Sequence, residues 1–406
     1  MNLHIRPIVS ALLRNRTGAV LVALQVAIAL AVLVNALFIV ITRMEKMGRP
    51  TGMDVANIFV VQSKSFTQRY DLKSAVAEDM RYLRGLPGVI AATPITAIPL
   101  SGGGSSTTLS TVAGKHNPHS YGLFEIDEQG LDALGLHLIA GRNFTHEEIE
   151  PSITTNDATR FVANVILSRA LAQELFGQEN PLGKQVYDSI GQHATVIGIV
   201  DPAMSSWPGQ EHPEWVFYMP RLTSELFGGI RYMVRTQPGQ QDAIMRLAEA
   251  HLSQSNPDRV VHFVRPLQYF KDLSYLGDRS MSIYLLTVTG LLIAVTCLGV
   301  FALATFNVAT RTKQIGTRRA VGARRADIVQ YFLVENGMIT STGILLGCAL
   351  ALATGYWLSL QYSLPRLNLY YLVGGVLVLW AIGQLAAWQP ARRAAAVPPS
   401  VATRTV

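Results

Sequence analysis

Four stretches of this chain carry no Asp, Glu, Lys or Arg over a length that crosses a bilayer: residues 18–41, 281–307, 337–360 and 367–387. A membrane core takes about 20 helical residues, and inside it each backbone N–H and C=O must find its partner within its own helix. A chain so patterned folds as four transmembrane helices, and everything else fits into the gaps between them. One gap is large, residues 42–280, and the others are short. The 49% hydrophobic content and positive mean hydropathy agree with membrane residence.

The net charge of +7 would suit a nucleic-acid binder if it were spread over a soluble surface. It is not spread. Residues 43–279 hold 21 basic and 25 acidic residues, while the remainder holds 13 and two. The excess lies on the membrane flanks, which excludes nucleic acid as the partner. Short loops rich in Lys and Arg stay in the cytoplasm. Arg6, Arg14 and Arg16 precede the first span, Arg311, Lys313, Arg318, Arg319, Arg324 and Arg325 lie between the second and third, and Arg392, Arg393 and Arg404 follow the fourth. Only Arg366 falls between spans three and four. The expected topology is a multi-pass protein of the inner (cytoplasmic) membrane with both termini cytoplasmic and residues 42–280 outside. The first apolar run exceeds a signal-peptide core and leads into Arg43 and Lys46, so it reads as a retained signal anchor. Cys297 and Cys348 both lie in spans, so no intramolecular disulfide framework staples the exterior.

Taken in order, residues 1–17 set Leu3, Ile5, Ile8, Val9, Leu12 and Leu13 against three arginines, the pattern of an amphipathic helix on the inner leaflet with its arginines at lipid headgroups. In the exterior, the spacing predicts a strand at 57–62, a helix at 71–86 and a strand at 89–95. The order recurs as a strand at 231–236, a helix at 240–255 and a strand at 259–265. Two βαβ units so separated predict a split ferredoxin-like module. Its halves are 57–100 and 229–266, interrupted by an inserted α+β subdomain at 101–228. The insertion opens with SGGGSSTT (101–108) and contains a β-branched run, ATVIGIV (194–200), and a helix-spaced run, SRALAQELF (168–176). The fold class is therefore membrane α-helical, with four transmembrane helices and a large extracytoplasmic α+β domain. Residues 308–336 read as two short cytoplasmic helices broken at Gly322–Ala323, the second carrying Ile328, Val329, Phe332 and Leu333 on one face. In the third span, Gly343, Gly347, Ala351 and Gly355 form a small-residue ridge that lets another helix approach, within the chain or across a subunit interface. Residues 388–406 are a basic tail.

No catalytic constellation is present. GQENPLGK (177–184) has five residues between its glycines and Gln185 where a phosphate-binding loop has Ser or Thr. His116 and His119, in the polar loop HNPH, lack a third ligand. Glu335 and Asn336, at the mouth of the third span, suit an interfacial cap or ion pair, with Arg324 and Arg325 in reach. Neither a cofactor nor a metal is implied in this chain. The weight falls on 310–336. Orientation alone needs a few basic residues, whereas this segment adds ordered apolar positions and a glycine break, as a prong gripped by a cytoplasmic motor would.

IGTRRAVGARRADIVQYFLVEN (315–336) resembles the signature of FtsX-like permeases, through Ile315, Gly316, Arg318, Arg319, Ala320, Gly322, Ala323 and Glu335. The exterior is similar to MacB-like permeases in LGLHLIAGRNF (134–144), NVILSRALAQELFG (164–177), NPLGK (180–184) and TVIGIV (195–200), and PARRAAAVPPSVA (390–402) is similar to the family's terminal motif. The resemblance implies a permease subunit of an ABC transporter of the mechanotransmission kind. Its coupling residues would be Gln314, Ile315, Gly316, Arg318, Arg319, Ala320, Val321, Gly322, Ala323, Arg324 and Arg325. It also implies ATP and Mg in a partner ATPase, read as a separate polypeptide from the seventeen residues ahead of the first span, and a second permease. A periplasmic adaptor and an outer-membrane channel are further partners of such systems, and the role implied is efflux from the periplasm. The alternative is an ATPase-driven signalling or scaffold protein that activates a periplasmic partner such as a cell-wall hydrolase. The long insertion favours the transporter. Gln314 stands where the family has an acid and Val321 where it has Leu, which leaves homodimer and heterodimer both open.

Overall fold

The computed structural model describes residues 16–67, 71–115, 117–150, 161–222, 229–362 and 367–398. The expected helix at 1–17, apart from its last two residues, lies outside them, as do His116, Arg366 and the tail beyond 398. The chain divides into two compact units, Lys46–Gly277 and the pair of segments Met1–Glu45 and Asp278–Val406.

The first helix, α1 (Arg16–Met47), begins in the membrane unit and runs past the apolar stretch at both ends. The α+β unit then starts with β1 (Ile58–Ser65), α2 (Leu72–Gly85, its first turn capped by Asp71) and β2 (Val89–Pro94). An insertion follows: β3 (Ser105–Thr107), β4 (Tyr121–Ile126), α3 (Gly130–Leu134), β5 (Leu138–Gly141), β6 (Asn164–Ser168), α4 (Arg169–Phe176), β7 (Gln185–Tyr187), β8 (His193–Val200) and β9 (Val216–Pro220). The chain returns as β10 (Ile230–Thr236), α5 (Gln241–Ser255), β11 (Arg259–Pro266) and α6 (Leu267–Ser274).

The outer strands of the chain form one four-stranded sheet in the order β11-β1-β10-β2, every neighbour antiparallel. The two βαβ halves thus interleave, each contributing a strand between the other's two, which is the ferredoxin-like order. A buried ion pair ties the halves together. Asp79 on α2 accepts from Arg259 Nη2 on β11 at 2.8 Å and from Tyr232 Oη on β10 at 2.6 Å, and Arg259 also donates to Ser255 Oγ at 2.7 Å. Removing one member would strand a charge in the core, at a cost of about 3–5 kcal/mol.

The insertion is more sheet-like than the sequence indicates. Its seven strands run β3-β4-β9-β6-β8-β5, with β7 alongside β8, and the β4/β9 and β6/β8 pairs are parallel. Only β8 stood out beforehand. All six residues of β4 and all five of β9 are buried, so neither shows the alternation by which a half-exposed strand is read. Gly141 ends β5 at φ +77°, where a Cβ would lie 2.1 Å from the Ile197 carbonyl, so that turn of the AGRNF motif accepts only glycine.

In the membrane unit, α1 is enclosed by α7 (Leu276–Thr310), α9 (Arg325–Tyr362) and α10 (Leu369–Ala395), with Val26, Ala27, Leu30 and Val34 fully covered. All four helices are long and apolar enough to span a membrane. The small-residue ridge of α9 packs on α1. A Cβ on Gly343 would stand 2.6 Å from Ala23 O, one on Gly347 2.9 Å from Ala27 O and one on Gly355 3.1 Å from Asn35 Oδ1. Asn35 Nδ2 donates across this seam to Ala351 O (3.2 Å) and Thr354 Oγ1 (3.0 Å). The ridge is therefore used within the chain. Arg43 near the end of α1 pairs with Asp278 at the start of α7. The helices differ from the apolar runs at their ends. The segment from Arg325 joins the third span as one 38-residue helix, and α10 continues through Pro390 to Ala395, so the start of the stretch read as a tail is helical.

Candidate coupling surface

Between α7 and α9 lies the short helix α8 (Thr312–Ala320). The chain after it turns at Gly322, whose φ of +101° suits a residue without Cβ, and α9 begins once Asp327 Oδ2 accepts the Arg324 N–H at 2.9 Å. The turn folds α8 back so that Ile315 packs with Ile328 and Phe332 of α9 and with Ala391, Ala394 and Ala395 of α10. Arg319 Nη1 donates to the Ala395 carbonyl at 2.9 Å, satisfying an orphan acceptor at the end of α10. The Arg318 guanidinium lies 4.8 Å from the centre of the Tyr331 ring.

These contacts sort the eleven predicted residues. Ile315 and Gly316 are buried and anchor the helix, and Arg319 and Ala323 are half-buried. Gln314, Arg318, Ala320, Val321, Gly322, Arg324 and Arg325 face outward. Val321 is 84% exposed, an apolar tip flanked by guanidinium groups. The structure brings one face of α8 and the turn together as a knob, and it withdraws the Ile-Gly pair that the sequence motif places in the same row.

Glu335 is a correction. Arg324 and Arg325 were the partners in reach by sequence, but Glu335 is only 2% exposed and pairs at 3.0 Å with Arg311, which joins the end of α7 to α9. The next residue of α9, Asn336, donates to Gly383 O of α10 at 3.0 Å. The sequence had no signal for Arg311, Tyr331 or the Ala391–Ala395 turn as members of this site, since their role depends on three helix ends meeting.

The other candidates resolve into structure. NPLGK is a turn in which Asn180 Oδ1 accepts the Leu182 N–H (3.1 Å), Gly183 N–H bonds Val196 O (2.8 Å) and Lys184 pairs with Glu179. His119 stands edge-on to Trp215 with ring centres 5.3 Å apart. Among the described residues, no three His, Cys, Asp or Glu side chains are grouped to hold a metal.

Residues 21–250 match the MacB-like periplasmic core domain and residues 286–399 the C-terminal region of FtsX-like permeases. The chain belongs to the MacB-like, FtsX-like permease family. Within that family it is similar to the macrolide export ATP-binding/permease protein MacB of Azoarcus sp., 27% identical over 333 residues that make up 80% of this chain and 47% of that protein. The corresponding protein of Bartonella henselae is 26% identical over 368 residues, 86% of this chain and 51% of the relative. The chain thus spans about half the length of these relatives. Among solved structures, the periplasmic region of MacB from Actinobacillus actinomycetemcomitans aligns at 20% identity and a TM-score of 0.34, over 55% of this chain and 94% of that one. The extracellular domain of the noncanonic ABC-type transporter YknZ from Gram-positive bacteria aligns at 21% identity and a TM-score of 0.31, over 50% of this chain and all of that one.

Proposed function

We propose that this MacB-like permease is the membrane subunit of an ABC transporter of the inner membrane. In this reading a cytoplasmic ATPase, loaded with ATP and Mg, grips the α8 knob, and the motion drives a periplasmic α+β domain that exports a substrate from the periplasm. Both termini are cytoplasmic, the active unit contains a second permease, and an adaptor with an outer-membrane channel completes the path. The observation that carries the reading is the arrangement of α8. Its apolar side is already spent on α9 and α10, while Val321 and the surrounding arginines stay exposed at the entrance to a helix that runs unbroken into the third span. Arginine is among the residues enriched at binding hot spots. A rigid helix leading from it carries displacement without losing it in a flexible loop.

Affinity purification of the full chain from its own cells tests this. Wild type is expected to bring down an ABC ATPase, and Val321→Glu with Arg325→Glu to reduce that recovery at least tenfold while leaving membrane insertion intact. These two positions are preferable to Arg319, whose loss also breaks its bond to α10. Undiminished recovery of the ATPase with the double variant would remove the knob as the contact.

A further inference from the structure

Between α9 and α10, the Arg325 end of one helix and the Ala395 end of the other leave a groove of about 970 Å³. Its walls include Met338, Trp380, Leu385 and Trp388, with Gln384 along its length and Arg392 at one end. The volume is at the upper end of small-ligand sites, and the wall residues Leu385 and Trp388 are largely uncovered within this chain.

Three features say what fills it. The groove lies where two spanning helices leave their apolar runs, so Met338, Trp380 and Leu385 sit at the level of the hydrocarbon and Trp388 and Arg392 at the level of the headgroups. Arg392 is its one charged lining residue and makes no ion pair among the described residues, while the nearby carboxylates are committed, Glu335 to Arg311 and Asp327 to the Arg324 N–H. Tryptophan near a basic helix end marks the headgroup level of a bilayer.

We propose that this groove is a site for an anionic phospholipid of the cytoplasmic leaflet, an acyl chain lying along Met338, Trp380 and Leu385 and the phosphate against Arg392. A lipid held there wedges α9 against α10 just beyond the α8 knob, so it sets the stiffness of the helix that leads from the knob. The inference rests on the membrane placement of α9 and α10 with their basic ends inside, and not on ATPase binding, so a failed ATPase recovery leaves it standing.

Tryptophan quenching in nanodiscs containing the full chain tests it. Trp357→Phe removes the other tryptophan of the spans; Trp207 and Trp215, in the α+β unit, give an unquenched baseline. Phosphatidylglycerol brominated on its acyl chain is expected to quench Trp380 and Trp388 at a mole fraction roughly fivefold lower than brominated phosphatidylcholine, the advantage of one basic residue at an anionic headgroup. Arg392→Glu is expected to erase the difference and Arg392→Lys to keep most of it. Equal quenching by the two lipids, or a preference that survives Arg392→Glu, overturns the assignment. So does absence of quenching by either lipid with disulfide crosslinking of Trp388→Cys between two copies, which would make the groove an interface between permeases.

Discussion

At the scale of single residues, the family-like AGRNF motif owes its form to Arg142 and Glu148. Glu148 accepts from both terminal nitrogens of Arg142 (2.8 and 2.6 Å), from the Thr145 N–H (2.9 Å) and from Asn164 Nδ2 (2.7 Å). The Arg142 hydrogen bonds, with the Thr145 N–H adding to them, hold its carboxyl down at about 2. A carboxylate whose folded pKa lies below its unfolded value stabilises the fold above pH ~4.5, and the stabilisation fades as pH falls toward 2. Thermal unfolding followed from pH 7 to pH 3 is expected to show this decline in wild type and a shallower one in Glu148→Gln. At pH 7 that variant should be less stable by about 1–3 kcal/mol, the cost of weakened bonds to a charged group. The motif is legible in the sequence as a resemblance, but its physical basis is not local. Glu148 follows Arg142 by six positions and meets Asn164 only because β5 and β6 both flank β8.

At the scale of elements, α8 and its turn were legible because their signals are local. Gly322 breaks a helical pattern, the charges keep the segment out of lipid, and Ile328, Val329, Phe332 and Leu333 repeat at helical spacing. The backbone at Gly322 makes a sharper statement. A β-branched residue at φ +101° is strained by about 1–2 kcal/mol. Gly322→Val is therefore expected to swing α8 off the Ile328–Phe332 face and to lower ATPase recovery severalfold, while Gly322→Asn, which tolerates positive φ, should keep most of it. The junction of the second short helix with the third span was only half visible. Composition changes at Gly337, where charged and amide residues give way to apolar ones, but the backbone does not break there. Helical hydrogen bonding is indifferent to the level at which lipid begins.

At the scale of the whole molecule, the α+β unit has its own apolar cores, one under each face of the four-stranded sheet and one within the insertion. Residues 46–277 expressed without the spans are expected to unfold in a single cooperative transition, with a mixed helix and strand spectrum. A circular dichroism melt with two separated steps would show the insertion to be an independent domain.

The order of strands and helices in the two outer βαβ halves, the number of spans and the basic segment between spans two and three followed from the sequence alone, because each is written in a run of neighbouring residues. The structure decided which faces meet. In lipid both the packed and the exposed side of a helix are apolar, so periodicity carries no mark of orientation. The ridge from Gly343 to Gly355 thus gave its spacing but not its partner, α1. Glu335 gave its charge but not Arg311, and nothing in the order of residues announced a groove between α9 and α10. Those facts depend on helix ends far apart in the chain arriving at one place.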